Sequence, residues 1–252
     1  MFHLTVSGGV ARVVMSNPPV NALSREWGDR FFAVLDELEA RDDWRVLVVA
    51  SDQKVFSAGG DIKQYAGRLD RDDAGDLLAG EAAYFQKLFA RISGLPQISI
   101  AEIAGVAAGG GMELALACDL RVASETTKVG LPEVGVGLLP AGGGTQRMAR
   151  LVGRGAALRL IGGAELVRGS EALALGLVEW TVPQEEVAAK TVEIAARFAA
   201  QPPEALRAAK ACITAAMKPG DDGYALELTY PPQLMKTAAT QARIREFLAR
   251  TK

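Results

Sequence analysis

The chain has 252 residues, of which 49% are hydrophobic and 23% are charged, a composition typical of a globular protein. Its formal net charge is -2 and it has no long run of Lys or Arg, which argues against nucleic acid as a partner. No apolar run approaches the roughly 18 residues that cross a bilayer, and the N-terminus does not resemble a signal peptide. We therefore expect a cytoplasmic protein.

Histidine and cysteine are scarce, and this limits the possible chemistry. His3 is the only histidine, and Cys118 and Cys212 are the only cysteines. A structural zinc site, a Ser-His-Asp triad and a Cys-His pair all require residues that the chain lacks. We expect no metal site, so any chemistry has to come from carboxylates and the backbone.

The first elements in chain order have local signals. Phe2–Val6 and Val10–Met15, joined through two glycines, indicate a β-hairpin. Ser24 is a plausible N-cap for a helix whose apolar residues recur at helical spacing. Val46–Ala50 is apolar throughout, which suits a parallel strand that is covered on both faces.

One pattern occurs twice in the chain. It consists of a buried strand, a glycine-rich turn, an acidic residue and a helix, in that order. The first copy leads to Gly60 and Asp61, and the second runs from Ile98–Ile103 to Glu113. If Gly110 starts the second helix, Glu113 lies on the same face three residues later. We expect both turns at the same edge of one sheet, where two free N–H groups could form an oxyanion hole. Such turns are also common packing devices, so these stretches alone leave both interpretations open.

The middle of the chain supplies a possible pocket wall and a second carboxylate. Gln64–Gly80 is predicted to be a mobile loop or short helix before a helix over Glu81–Ile92, and such segments often shape pockets. After a strand over Leu120–Ser124, Glu133 lies in a rigid turn between proline and glycine residues. A turn glutamate of this kind is also often simply solvated.

A third glycine-rich stretch, residues 140–147, invites comparison with phosphate-binding loops. Gly143 stands where a Walker loop requires Lys, and Pro140 disrupts the dinucleotide-binding alternative. The stretch therefore predicts only a tight turn into a helix over Thr145–Val152.

The C-terminal part is predicted to be mainly helical, with one short strand over Leu177–Val182. The helices are expected near Gln184–Ala200, Pro203–Met217 and Asp222–Arg250. We treat residues 1–200 as the core that carries the site and residues 201–252 as a helical extension. The last helix has an apolar face with little local chain to cover it, so we expect it to pack on the core or on a neighbouring subunit.

Together these motifs resemble the crotonase, or enoyl-CoA hydratase/isomerase, superfamily. The resemblance implies an α/β fold, a spiral of ββα units with a C-terminal helical trimerisation region. It also implies an acyl-CoA thioester substrate and a homo-oligomer, either a trimer or a dimer of trimers. The matching stretches are Asn21-Ala22-Leu23, Phe56–Asp61, Gly105–Glu113, Cys118-Asp119, Pro132-Glu133, Pro140 and Gly143–Arg147.

The resemblance also assigns roles to individual residues. Gly60 and Gly110 match the backbone donors to the thioester carbonyl, and Glu113 and Glu133 match two catalytic carboxylates that hold one water. The residues that match the substrate and CoA contacts are Ala22, Ala58, Gly60, Asp61, Ile62, Lys63 and Gly110. No metal or redox cofactor is implied, because coenzyme A is part of the substrate.

The implied reaction is reversible syn addition of water to a 2-enoyl-CoA, giving 3-hydroxyacyl-CoA, in fatty-acid or related acyl-CoA degradation. There are three alternatives. The first is a Δ3-Δ2-enoyl-CoA isomerase, which needs one carboxylate. The others are another crotonase-type reaction and a non-catalytic CoA-ester-binding protein. Glutamate at both 113 and 133 favours hydration. Glu102 and Gly60 depart from many relatives, which leaves the acyl-chain preference open.

Overall fold

The computed structural model describes residues 1–61, 66–67 and 69–250; Ile62 and Lys63, two of the expected CoA contacts, lie outside this part of the chain. The described strands are β1 (Phe2–Ser7), β2 (Val10–Met15), β3 (Val46–Ser51), β4 (Val55–Ser57), β5 (Ile98–Ile103), β6 (Val106–Ala108), β7 (Leu120–Ser124), β8 (Lys128–Gly130), β9 (Val167–Arg168) and β10 (Trp180–Val182). They form a six-stranded sheet in the order β1-β2-β3-β5-β7-β10 and a four-stranded sheet in the order β4-β6-β8-β9.

The large sheet begins with the predicted hairpin. β1 pairs with β2 in antiparallel orientation, and the turn glycines Gly8 and Gly9 both have positive φ. All other neighbours in this sheet are parallel. The hairpin prediction is therefore confirmed.

The two faces of β3 belong to two different hydrophobic clusters. Val46 and Val48 pack in the cluster formed with the Val187–Ala199 helix, whereas Leu47 and Val49 pack in the cluster that contains Trp27. A strand buried on both faces needs apolar residues at every position, which explains the uninterrupted run.

The small sheet carries the two glycine turns. β4, β6 and β8 are parallel neighbours, and β9 pairs with β8 in antiparallel orientation. The glycine turns follow β4 and β6, which confirms that they emerge at one edge of one sheet. The longer strands β3 and β5 belong to the other sheet, so each unit contributes one strand to each sheet.

Helices surround the two sheets. The described α-helices are Arg25–Glu39, Ala74–Ser93, Gly110–Ala117, Gly144–Ala157 with a kink at Gly153, Gly169–Ala174, Val187–Ala199, Pro203–Ala216, Gly223–Thr229, Pro231–Leu234 and Ala238–Arg250. Shorter turns of 3-10 helix cover Glu133–Val136 and Gln184–Glu186, and a π-helical turn covers Leu158–Gly162. Within the described residues, no helix is long and apolar enough to span a bilayer.

Several predicted boundaries were confirmed and others were wrong. Ser24 caps the first helix by accepting a 3.1 Å hydrogen bond from the Trp27 N–H. The helix expected from Glu81 begins seven residues earlier, at Ala74, and the strand expected from Leu177 is limited to β10. The single helix expected near Asp222–Arg250 is three helices, because the prolines at 231 and 232 lack the N–H that would continue the first.

The Pro203–Ala216 helix is fastened to the core by one buried cation. Lys210 donates 2.6 Å to Oδ2 of Asp119 and 2.7 Å to the carbonyl oxygen of Gln97. Asp119 also accepts from the backbone N–H and the hydroxyl of Ser99. The end of the Gly110–Ala117 helix, the start of β5 and the Pro203–Ala216 helix therefore meet at the Asp119 carboxylate.

Candidate active site

The two glycine turns touch each other. A Cβ placed on Gly59 would lie 2.9 Å from the amide nitrogen of Gly110, and one placed on Gly110 would lie 3.7 Å from the amide nitrogen of Gly60. Within the described residues, neither the Gly60 nor the Gly110 N–H donates to a protein acceptor. The structure thus brings together the two predicted backbone donors.

Buried polar groups fix the first turn. The Ser57 hydroxyl donates 2.8 Å to the carbonyl oxygen of Asn21 and accepts 3.1 Å from the Gly59 N–H. Gly59 has a φ of 89°, and its carbonyl oxygen accepts 2.9 Å from the Leu23 N–H. With the Gly59 amide occupied by Ser57, the Gly60 amide is the group presented to the cavity.

Glu113 lies where the helix prediction placed it. Gly110 is the first residue of the Gly110–Ala117 helix, and the Glu113 N–H donates 2.9 Å to the carbonyl oxygen of Gly109. Gly109 has a φ of 54°, a conformation that favours glycine. The side chain of Glu113 is buried and points to the same space as the free amide of Gly110.

Backbone donors from a distant turn hold Glu113. The Gly144 N–H donates 2.8 Å to Oε1 of Glu113. Burial raises the pKa of Glu113 above its ordinary value, and the N–H groups of Gly144 and Gly142 and the charge of Arg147 oppose that rise. Arg147 in turn donates 3.1 Å from Nη1 to the carbonyl oxygen of Gly142. This support was missed from the sequence, where the stretch predicted only a tight turn.

Glu133 begins the 3-10 turn Glu133–Val136. The Gly135 N–H donates 3.0 Å to the carbonyl oxygen of Pro132, so the turn is closed as the sequence indicated. A Cβ on Gly109 would lie 3.1 Å from Oε1 of Glu133, which places this carboxylate against the second glycine turn. Burial raises the pKa of Glu133 to about 7, with a further contribution from the charge of Glu113.

One oxygen of Glu133 is unpaired among the described residues. Its Oε2 is buried and makes no hydrogen bond within the described part of the chain. A buried acceptor of this kind is costly unless a ligand or water satisfies it. The unpaired oxygen therefore marks a place where a bound hydroxyl or water fits.

Both carboxylates and both amides open on one cavity of about 820 Å³. Its lining comprises Leu23, Ala58, Gly60, Gly75, Leu78, Ala79, Glu81, Ala82, Phe85, Phe89, Gly109, Gly110, Glu113, Pro132, Glu133, Gly135, Val136, Gly137, Leu138, Leu139, Ala141, Gly142 and Ala164. Two N–H donors and two acids around an apolar pocket can stabilise an oxyanion and move protons.

The other described residues that were predicted to bind the substrate lie at or beside the first glycine turn. Ala58 is exposed and lines the cavity, whereas Ala22 and Asp61 are partly buried beside the first turn and do not line it. Glu102 is buried on the far face of β5, where Arg12 donates to both its oxygens at 2.8 and 2.6 Å. Since Glu102 does not line the cavity, its ion pair is structural and does not bear on the acyl chain.

Metal ligands are not assembled in this part of the molecule. Across residues 1–61, 66–67 and 69–250 no three His, Cys, Asp or Glu side chains are grouped so that they could hold a metal ion.

Comparison with known proteins agrees with the geometry. The family model described as enoyl-CoA hydratase/isomerase matches residues 5–252. A Bacillus subtilis protein named "Probable enoyl-CoA hydratase" is 42% identical over 204 residues, which cover 81% of this chain and 78% of that protein. The mouse protein named "Methylglutaconyl-CoA hydratase, mitochondrial" is 35% identical over 203 residues, covering 79% and 63%.

Solved structures extend the similarity over the whole fold. A structure of enoyl-CoA hydratase from Bacillus anthracis matches with a TM-score of 0.91 and 29% identity, covering 99% of this chain and 96% of that one. Pseudomonas aeruginosa DspI matches with a TM-score of 0.86 and 33% identity, covering 99% and 94%. The α/β crotonase fold expected from the sequence is confirmed, and the chain belongs to the enoyl-CoA hydratase/isomerase family.

Proposed function

We propose that this protein catalyses the reversible syn addition of water to a 2-enoyl-CoA thioester, giving a 3-hydroxyacyl-CoA. The observation that carries the proposal is that Glu113 and Glu133 open on the same cavity as the free amides of Gly60 and Gly110. In this proposal, Ala22, Ala58, Asp61, Ile62 and Lys63 contact the CoA portion.

The two amides act on the thioester oxygen. Attack of a water oxygen at Cβ pushes electron density through Cα to the carbonyl, so negative charge develops on that oxygen. Two N–H groups that are already oriented stabilise the charge without the reorganisation that water would need. Gly60 and Gly110 supply these donors from turns that are in contact, so both can reach one oxygen.

The two carboxylates act on the water. Ionised Glu133 accepts a hydrogen bond from the water and takes its proton as the oxygen bonds to Cβ, while Glu113 accepts a second hydrogen bond that orients it. One of the two carboxyl groups then gives a proton to Cα, which completes the addition on one face. With a pKa of about 7, Glu133 can both accept and release a proton near neutral pH. The two groups interact, so they titrate as a pair.

A second acid close to the first distinguishes hydration from double-bond isomerisation. An isomerase moves one proton between two carbons of the same substrate, a task for a single carboxylate. Glu113 and Glu133 line the same cavity and the charge of Glu113 raises the pKa of Glu133, which supports a water shared between them. This pairing favours hydration over isomerisation.

The test is turnover of crotonyl-CoA by wild type and by Glu133→Gln, followed through loss of the conjugated-thioester absorbance. We expect the variant to lose about 10²–10⁴-fold in kcat while it still binds the product thioester. Glu37→Gln, a change at an exposed helix position, is the matched control and should keep full activity.

Other outcomes identify the alternatives. Full hydratase activity in Glu133→Gln contradicts the role given to this residue. Conversion of a 3-enoyl-CoA without any hydration by the wild type points to an isomerase. Tight binding of CoA esters with no turnover of either substrate points to a binding protein.

We also propose that residues 201–252 mediate assembly into a trimer or a dimer of trimers. The C-terminal helices expose several large apolar side chains, among them Tyr224, Leu228 and Met235. Exposed apolar surface of this extent is unfavourable in a monomer, and sharing it between subunits recovers about 25 cal/mol per Å² buried.

A further inference from the structure

Asn21 combines complete burial with a backbone conformation that few side chains adopt. Its exposed fraction is 0%, and its φ is 49°, in the left-handed region where residues other than glycine are uncommon. Asparagine tolerates this region better than most residues, and strained residues of this kind cluster at functional sites. Asn21 does not line the cavity, so it can act on the site only through its neighbours.

The side-chain amide of Asn21 joins three separate parts of the chain. Its Nδ2 donates 2.7 Å to Oγ of Ser51, at the end of β3, and 3.0 Å to the carbonyl oxygen of Phe56, in β4. Its Oδ1 accepts 2.8 Å from the N–H of Asn17. Both donor positions and the acceptor of the amide are therefore used, which fastens the loop before Asn21 to both strands.

The residues on either side of Asn21 pair with the first glycine turn. The carbonyl oxygen of Val20 accepts 3.0 Å from the Ala58 N–H, and the Leu23 N–H donates 2.9 Å to the carbonyl oxygen of Gly59. The turn is therefore paired along a segment that the Asn21 side chain anchors on the two strands.

Both polar groups of Gly59 depend on this segment. Its N–H donates 3.1 Å to the Ser57 hydroxyl, which donates 2.8 Å to the carbonyl oxygen of Asn21, and its carbonyl oxygen accepts from Leu23. A trans peptide unit is planar, so its C=O and N–H point in opposite directions. Because the Gly59 carbonyl is held on Leu23, the Gly60 N–H of the same peptide unit points away from the segment and toward the cavity that Gly60 lines.

We propose that Asn21 is a positioning residue of the oxyanion hole: its side-chain amide holds the segment that aims the Gly60 N–H at the thioester oxygen. This inference rests on the proposed hydratase function and gives a role in it to a residue outside the cavity lining. The second donor, Gly110, begins a helix and, within the described chain, makes no hydrogen bond with residues 20–23. It should therefore keep its position when Asn21 is changed and leave residual activity.

The alternative is a purely conformational role for Asn21. The loop would then need only a residue that accepts the left-handed conformation, and glycine, which adopts it without strain, would replace asparagine fully. Asn21→Gly separates the two roles, because it allows the same backbone conformation and removes the three side-chain hydrogen bonds.

The experiment measures, by infrared spectroscopy, the carbonyl stretch of bound butyryl-CoA that is isotopically labelled at its thioester carbonyl. This saturated analogue cannot be hydrated, and hydrogen bonds from the two amides should lower the carbonyl frequency relative to the free ligand. At saturating ligand, we expect Asn21→Gly to show a smaller lowering than wild type. Its kcat for crotonyl-CoA should fall on the order of 10²-fold, the lower end of the effect of losing one oxyanion-hole donor. Partial unfolding alone would weaken the signal without moving the frequency.

Asn21→Asp is the second variant, in case Asn21→Gly does not fold. It keeps the shape of the side chain and the oxygen that accepts from Asn17, but it can donate at most one hydrogen bond. We expect it to change the frequency and kcat in the same direction as Asn21→Gly and by less.

Thr191→Val is the matched control. Thr191 is also fully buried, and its hydroxyl donates 2.8 Å to the carbonyl oxygen of Val187 on a helix that does not line the cavity. This variant likewise loses a buried hydrogen bond, so it should keep the wild-type kcat and the wild-type carbonyl frequency.

The outcomes separate this inference from the proposed function. A wild-type carbonyl frequency in folded Asn21→Gly or Asn21→Asp overturns the role of Asn21, whatever the kcat, and leaves the hydratase function intact. Failure of the wild type to hydrate crotonyl-CoA contradicts the hydratase function, while the frequency comparison still decides the role of Asn21, because it needs binding and no turnover. A wild-type frequency equal to that of the free ligand contradicts the oxyanion hole and this inference with it.

Discussion

The Gly144 N–H and Oε1 of Glu113 form a 2.8 Å hydrogen bond that joins two helix N-termini. Gly144 is the first residue of the Gly144–Ala157 helix, so its amide belongs to the unpaired donors at a positive helix end. Glu113 itself lies in the first turn of the Gly110–Ala117 helix. The carboxylate is thus positioned by backbone groups of two helices, which move less than side chains do.

Gly142→Ala should remove most hydratase activity without unfolding the protein. The added Cβ would lie 2.6 Å from Oε2 of Glu113, and the carboxylate is the group that can move. A displacement of this kind costs on the order of 10²-fold in kcat. Gly155→Ala is the control, because the position is helical and a Cβ there meets no atom within 4 Å. This variant should keep full activity and should be about 0.5–1 kcal/mol more stable than wild type. Equal activity of both variants would contradict the positioning of Glu113 described above.

Glu133→Gln should stabilise the protein at alkaline pH. The pKa of Glu133 rises from 4.5 to about 7 on folding, so the folded state binds more protons between these values. The free energy of unfolding of the wild type therefore falls as pH rises through this window. Glutamine lacks this titration. We expect the variant to be more stable than wild type at about pH 8 and to lose the advantage by about pH 4 in urea titrations. A constant difference across the range would show that the titration of Glu133 is not responsible.

Arg147→Met should shift the acid limb of the kcat/KM profile to higher pH. The Arg147 charge opposes the rise of the Glu113 pKa, and the charge of Glu113 in turn raises the pKa of Glu133. Removing the cation therefore makes Glu113 harder to ionise. Arg147→Lys keeps the charge and should shift the limb less. Arg150→Met, an exposed change on the same helix, should leave the profile where it is. A purely structural role for Arg147 would lower activity at all pH values equally.

Tyr224→Asp combined with Leu228→Asp should dissociate the assembly. Both side chains are more than three-quarters exposed in the single chain, at 86% and 78%. Burying the new charges between subunits would be costly, so light scattering should report a smaller mass than for wild type. Lys236→Asp, which adds an acid to the same segment without removing an apolar side chain, should retain the wild-type mass.

Truncation after Gly220 should give insoluble or inactive protein. A wild type that is stable and active as a monomer would contradict the assembly.

Features with local signals could be predicted from the sequence. Ser24 as a cap, Gly110 as the first residue of its helix and the apolar run in β3 each depend on neighbours within a few positions. The same holds for Glu133, whose turn is defined by the residues beside it. The placement of Glu113 and Glu133 therefore followed from local signals, whereas the roles of the two carboxylates and the two amides were implied by the family resemblance and stay a prediction.

Features that join distant parts of the chain could not be predicted in this way. Gly144 and Glu113 are 31 residues apart, and no local pattern in the glycine run indicates which acid it holds. The helix that starts at Ala74 contains glycines at 75 and 80 that lower its intrinsic propensity, so its first two turns had no clear local signal. That this helix lines the cavity was apparent only in the assembled structure.

The contact of Lys210 with Asp119 also constrains when the fold can be completed during synthesis. The two residues are 91 positions apart, so the chain up to Asp119 leaves the ribosome long before its cation is made. Until the Pro203–Ala216 helix arrives, Ser99 is the residue seen to hold the Asp119 carboxylate among those that the structure describes. A nascent chain consequently lacks the cation that pairs with Asp119 until Lys210 docks. Chains that end before Lys210 lack this ion pair, so the link between the C-terminal helices and the core is completed late in synthesis.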